Sequence, residues 1–213
     1  MDGNNRWSKK NSQSKIDSYS KGAQKILSLS ENIFKNYNVN YISAFALSNN
    51  NLNRAKTLIN ILKDILHKFL SDEKKITKIN FQIIFLGDLR FLGKNLNSKI
   101  EDLEKRNKNK KNKLLIFLNY SGRKDIESTY KNEKINSLNK NNFRVNKLLL
   151  TKNLPDPEIL IRTGGHQRIS DFMLYQLAFT ELFFLKKLWP DISNSDVRAV
   201  ISKYKLINRK FGL

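Results

Sequence analysis

The residues with the most chemistry in this 213-residue chain fall in short polar clusters. Four stand out: Ser48-Asn49-Asn50-Asn51-Leu52-Asn53-Arg54, Gly87-Asp88, Asn119-Tyr120-Ser121-Gly122-Arg123, and Arg162-Thr163-Gly164-Gly165-His166-Gln167-Arg168-Ile169-Ser170. Three of them carry an arginine. Planar guanidinium forks match phosphate oxygens. The Gly164-Gly165 pair lies in the loop that holds both Arg162 and Arg168, where it would let backbone amides approach an oxyanion. Local chemistry alone describes a diphosphate site.

Each cluster follows an apolar run of strand character. Strands are expected over Tyr41 to Ser48, Ile79 to Gly87, Leu114 to Tyr120, Glu158 to Thr163 and Phe179 to Leu185. Helices are expected over Ser18 to Asn36, Arg54 to Leu70, Lys94 to Lys105, Gly122 to Leu138 and Ser193 to Asn208. In the second helix Leu58, Ile59, Leu62, Ile65, Leu66 and Phe69 share one stripe, a core face. The alternation predicts a single α/β domain over residues 1–213, with a mainly parallel central sheet flanked by helices. Ligand sites of such sheets lie beyond the carboxyl ends of the strands, where the four clusters sit.

Composition sets the outer bounds. Hydrophobic residues make up 39%, with three prolines and eight glycines, which excludes a disordered or collagen-like chain. The chain has no cysteine, which rules out disulfides, thiolate zinc sites and a cysteine nucleophile, and makes the cytoplasm the expected compartment. No apolar stretch approaches the ~20 residues of a membrane span, and no leading signal peptide is read, so a soluble protein is expected. Forty basic against nineteen acidic residues give a net charge of +21. That charge would suit an anionic partner, but the excess of Lys and Asn is also what AT-rich coding places on exposed positions. The basic run Lys105 to Lys113 contains no aromatic on which a base could stack, so no nucleic-acid partner is expected.

Together with Met1-Asp2-Gly3-Asn4-Asn5-Arg6-Trp7, Ile161 to Gly165, Arg168-Ile169-Ser170, Glu181-Leu182-Phe183-Phe184 and Leu188-Trp189-Pro190-Asp191, the clusters resemble the cis-prenyltransferases, in particular those of the bacterial undecaprenyl diphosphate synthase type. The blocks run in order along almost the whole chain. The resemblance implies an enzyme that condenses isopentenyl diphosphate onto an allylic diphosphate of the farnesyl type with cis geometry, making a long-chain carrier lipid. It also implies Mg²⁺, a homodimer, and a product that partitions to the membrane, with peripheral association at its inner face. On the same ground Asp2 is expected to hold the metal and Asn51 to assist proton removal. Gly3, Asn4, Asn5 and Arg6 would wrap the allylic diphosphate and Trp7 would pack that loop, while Lys15, Tyr19, Ser48, Asn49, Asn50, Leu52 and Ile169 are further substrate-binding candidates. Arg54, Arg162, Arg168 and Ser170 would take isopentenyl diphosphate, and Glu181 would be either a second metal ligand on the isopentenyl side or a strand-edge residue at the dimer contact.

The chain departs from the family's pattern at several positions. Tyr19 stands for a histidine, Lys15 for an arginine, Leu52 for a tryptophan, His166 for a glutamate and Asn5 for a glycine. Tyr19, Leu52 and His166, together with a strand expected to be missing ahead of Asp2, leave a non-catalytic partner subunit as the alternative reading. In the family an apolar strand precedes the Asp-Gly-Asn motif, and here it is expected to be missing ahead of Asp2. An elongated apolar tunnel is expected to be lined by Leu58, Leu62, Ile65, Leu66 and Phe69, by Leu96, Ile100 and Leu103, and by Ile116, Phe117 and Leu118. Phe117, where similar enzymes carry a small residue, is expected to shorten the product.

Overall fold

Residues 1–52, 56–135 and 144–208 are described by the computed structural model. The five apolar runs form strands: β1 (Tyr41–Ser48), β2 (Gln82–Leu86), β3 (Lys113–Tyr120), β4 (Ile159–Arg162) and β5 (Glu181–Phe184). The helices are α1 (Asn4–Lys10), α2 (Lys15–Asn36), α3 (Asn49–Leu52), α4 (Lys56–Leu70), α5 (Glu73–Thr77), α6 (Lys94–Arg106), α7 (Gly122–Ile135) and α8 (Asn194–Tyr204). Strands two, four and five are shorter than their apolar runs suggested. α1 was not expected: Gly3, at φ +112°, turns the chain directly into a helix. Ser14 and Ser193 start α2 and α8 by accepting the amides of Asp17 and Asp196, and α8 carries a full capping box.

Among the described residues every strand pair is parallel, as expected, but the strands form two sheets instead of one. A three-stranded sheet has the order β1-β3-β2, and β4 pairs with β5. β3 is central and reads as a continuous apolar run because both of its faces are covered. Alternate residues of the sheet serve different cores. Leu114 and Leu118, with Ala44, Leu47, Ile83 and Phe85, meet Leu96, Ile100 and Leu103 of α6 and the apolar stripe of α4. Leu115 and Phe117 belong to a second cluster with Tyr120, Phe172, Met173 and Leu177.

That alternation corrects the reading of Phe117. Its ring is fully buried against Tyr120 (centroids 4.8 Å) and Phe172 (5.1 Å), on the opposite face from the α4 and α6 side chains with which it was grouped. It therefore gives no reason to expect a shortened product. The α4, α6 and Ile116/Leu118 set packs as one core cluster.

A cavity of about 1240 Å³ lies elsewhere, bounded by β1 from Tyr41 to Ala46 and by Glu158 to Thr163 around β4. Ile26, Leu29 and Ile33 of α2 and Val197 and Ile201 of α8 complete its apolar wall. Among the described residues no strand pairs with the cavity-side edge of β1 or β4. Met1 and Asp2 lie at the end of this cavity where β4 gives way to Thr163.

Candidate active site

The chain at Asp2 is pinned by its backbone. Its amide donates to Thr163 Oγ1 at 2.9 Å, the same hydroxyl donates back to the Asp2 carbonyl at 2.9 Å, and the Trp189 amide donates to that carbonyl at 3.0 Å. Thr163 is buried at the carboxyl end of β4, so the strand end fixes where the carboxylate sits. Behind it, Trp7 Nε1 donates to Asp191 at 2.7 Å and Trp189 Nε1 to the Gly22 carbonyl at 3.0 Å, locking α1, α2 and the Trp189–Asp191 turn together. A side chain at Gly22 would meet Asn4 and Trp189, which is how α1 approaches α2 so closely.

With its backbone held, the Asp2 carboxylate faces two guanidinium groups. Arg162 Nη2 lies 3.1 Å from Oδ2 and Arg6 Nη2 lies 3.4 Å from Oδ1. Burial pushes the Asp2 carboxyl up, but the hydrogen bond from Arg162 and the charges of Arg6 and Arg162 outweigh it and hold the group below the ordinary aspartate value. Arg162 also donates to the Arg168 carbonyl and to Ser170 Oγ at 2.7 Å, and Arg6 donates to the Gly164 carbonyl at 2.7 Å. Burial raises the Tyr19 phenol and the charge of Asp2 raises it further, which puts Tyr19 within the field of this cluster.

The two glycines play a different part from the one expected of them. Their amides do not face the site: Gly164 N–H donates to the Lys187 carbonyl at 2.7 Å and Gly165 N–H to Leu185 at 2.9 Å. Both have positive φ, +85° and +80°, and a Cβ on Gly164 would lie 2.4 Å from Arg6 Nη2. Gly164 is required because Arg6 and Asp2 occupy the space of a side chain.

The mouth of the cavity gathers Asp2, Ser48, Asn49, Asn50, Asn51, Arg162, Arg168, Ile169 and Ser170. Asn49 donates to Asn119 at 2.7 Å and Asn119 to the Asp88 carbonyl at 3.1 Å, so three of the strand-end clusters are laced together. Arg123 and Thr163 join the mouth and had been given no role. Both stood in the clusters quoted at the outset, but nothing in the sequence marks the Thr163 hydroxyl as the buried partner of the Asp2 backbone.

Other expected residues lie apart. Trp7 is buried beneath the site and its ring carries the Lys21 ammonium 4.2 Å from the centroid. Lys15 is exposed at the start of α2 and Asn5 is exposed on α1. Glu181 opens β5 opposite Ile159, while Asp2 sits at the other end of this strand pair beside Thr163, so one chain does not bring the two carboxylates together. Arg54 and the side chain of Leu52 lie outside the described residues. Among the described residues no three His, Cys, Asp or Glu converge into a metal cage.

Comparison with known proteins follows the same lines. Residues 1–212 match the undecaprenyl diphosphate synthase family. The chain is 33% identical to an isoprenyl transferase of Aquifex pyrophilus over 215 residues, covering all of this chain and 93% of that protein. It is 30% identical over 224 residues to the ditrans,polycis-undecaprenyl-diphosphate synthase ((2E,6E)-farnesyl-diphosphate specific) of Micrococcus luteus, covering all of this chain and 88% of that one. Its fold superposes on lavandulyl diphosphate synthase from Lavandula x intermedia, solved with dimethylallyl diphosphate, with a TM-score of 0.88 at 27% identity over all of this chain and 95% of that one.

Proposed function

The chain belongs to the undecaprenyl diphosphate synthase family of cis-prenyltransferases, and from that premise we propose that it extends farnesyl diphosphate with isopentenyl diphosphate units to a long-chain polyprenyl diphosphate carrier lipid. The observation that carries this reading is the convergence of Arg6, Arg162 and Asp2 at the carboxyl end of β4, with Ser170 held by Arg162. Guanidinium groups bind diphosphate oxygens.

Members of this family generally use a divalent metal, and we take it to be Mg²⁺. Mg²⁺ is commonly held by one or two carboxylates together with substrate phosphates and water, and not by an all-protein cage. A partly exposed carboxylate such as Asp2, with no acidic cluster around it among the described residues, fits that type of site. When bound, the cation neutralises the charge that develops on the departing allylic diphosphate. Arg6 and Tyr19 orient that diphosphate, and Arg162, Arg168 and Ser170 hold the isopentenyl diphosphate. Asn51 is an amide and a poor base, so it positions the isopentenyl unit while a diphosphate oxygen or water accepts the proton.

Glu181 lies away from Asp2 within one chain, and as a metal ligand it would serve a second site, supplied across a homodimer. The exposed Leu182 beside it would form part of that contact surface. Among the described residues no helix is long and apolar enough to cross a membrane. We place the enzyme in the cytoplasm, at the inner membrane face, where its product partitions.

The test is a panel of dimethylallyl, geranyl, farnesyl and geranylgeranyl diphosphates, each given with isopentenyl diphosphate and Mg²⁺ and analysed by mass spectrometry. Farnesyl diphosphate should be used best and gain many units. A single condensation on the shortest starter would contradict the carrier-lipid assignment, and turnover with none of them would favour the non-catalytic subunit that Tyr19 and His166 had raised.

A further inference from the structure

The site's own carboxylate occupies the groups that should bind phosphate. Each Asp2 oxygen faces one guanidinium, Arg162 at 3.1 Å and Arg6 at 3.4 Å. Neither arginine can swing away without loss, because Arg6 also holds the Gly164 carbonyl at 2.7 Å and Arg162 holds Ser170 Oγ at 2.7 Å. Carboxylate and phosphate oxygens present the same acceptor geometry to a guanidinium, so the two compete for it.

We propose that Asp2 is an internal stand-in for diphosphate, which releases Arg6 and Arg162 to the ligand only when a divalent cation takes its carboxylate. This rests on the diphosphate reading of the site given above. The Arg162 side chain is only 13% exposed, so a diphosphate arriving there alone would sit beside the displaced Asp2 carboxylate, a like charge at close range. A cation bridging carboxylate and phosphate removes that repulsion and frees both arginines at once. Cation and diphosphate thus bind as coupled ligands, each raising the affinity for the other by the same factor. The backbone bonds of Asp2 to Thr163 and Trp189 do not involve the carboxylate, so the exchange needs only side-chain motion.

The experiment is calorimetric titration of the full chain with inorganic pyrophosphate, first in EDTA and then with MgCl₂, beside Asp2→Asn. In EDTA, Asp2→Asn should bind pyrophosphate roughly tenfold more tightly than the unaltered chain, because the competing charge is gone. With Mg²⁺ the order should reverse, the unaltered chain gaining roughly tenfold or more and the variant little. Equal or weaker binding by Asp2→Asn in EDTA overturns the proposal. An independent variant, Arg6→Gln, should take Mn²⁺ alone more tightly by electron paramagnetic resonance, since the carboxylate loses a competitor; unchanged or weaker binding also overturns it. Failure of the unaltered chain to bind pyrophosphate even with Mg²⁺ is a different result, and it would overturn the diphosphate reading itself.

Discussion

On the proposed reading, Asp2 and the arginines around it serve the chemistry more than the core. Asp2→Ala should abolish elongation while the circular dichroism spectrum stays unchanged, since the residue's structural bonds are made by its backbone. Retained turnover would remove Asp2 from the metal site. Arg162→Ala should weaken isopentenyl diphosphate by roughly 2 kcal/mol or more, as a partly desolvated charged hydrogen-bond donor does. Arg168, whose side chain is exposed, should cost less. A larger loss at Arg168 would invert their roles. The pH dependence has a definite sign. Asp2 has a lowered carboxyl, so its ion pairs contribute stability above about pH 3.8, and that contribution fades as pH falls through the lower folded value. The stability difference between the unaltered chain and Asp2→Asn, measured by urea unfolding, should shrink below that pH and hold above it. The arginines were legible because phosphate chemistry restricts the residue type. The Gly164-Gly165 amides were misread because their partners, Lys187 and Leu185, come from the far end of β5 and no local pattern announces them.

At the level of elements, the five apolar runs were legible as strands because period and length distinguish them, while their ends moved by up to three residues where the pairing partner stops. The division into two sheets was not legible, since pairing is a long-range property. The facing of Phe117 follows from the period-2 alternation of β3 only once the layers on each side are known. Phe117→Ala should cost about 3–5 kcal/mol in stability and leave product length unchanged. Lengthened product by mass spectrometry would return Phe117 to a tunnel. Hydrogen exchange should also separate the strands. Among the described residues β3 is paired on both sides and β1 on one, so alternate β1 amides should exchange at least ~10-fold faster than those of β3. Uniform protection would mean that the β1 edge is covered.

Across the whole molecule, the net charge of +21 and the proposed amphiphilic product lead to one prediction about anionic membranes. Binding to vesicles containing anionic lipid should fall steeply as salt shortens the Debye length from ~10 Å at 0.1 M toward ~3 Å at 1 M, and salt-independent binding would assign the attraction to apolar contact instead. The charge was legible as a number, but its meaning was not, because the same lysines serve solubility and attraction equally. What the whole chain is for turns on catalysis. The most direct measurement is incubation of the full chain with farnesyl diphosphate, labelled isopentenyl diphosphate and Mg²⁺, with Asp2→Ala alongside, followed by chromatography of the extracted lipid. Label should move into a long-chain polyprenyl diphosphate with the unaltered chain and not with the variant; label remaining in isopentenyl diphosphate in both, or moving equally in both, would contradict the assignment of Asp2, Arg6 and Arg162 as the heart of a cis-prenyltransferase site.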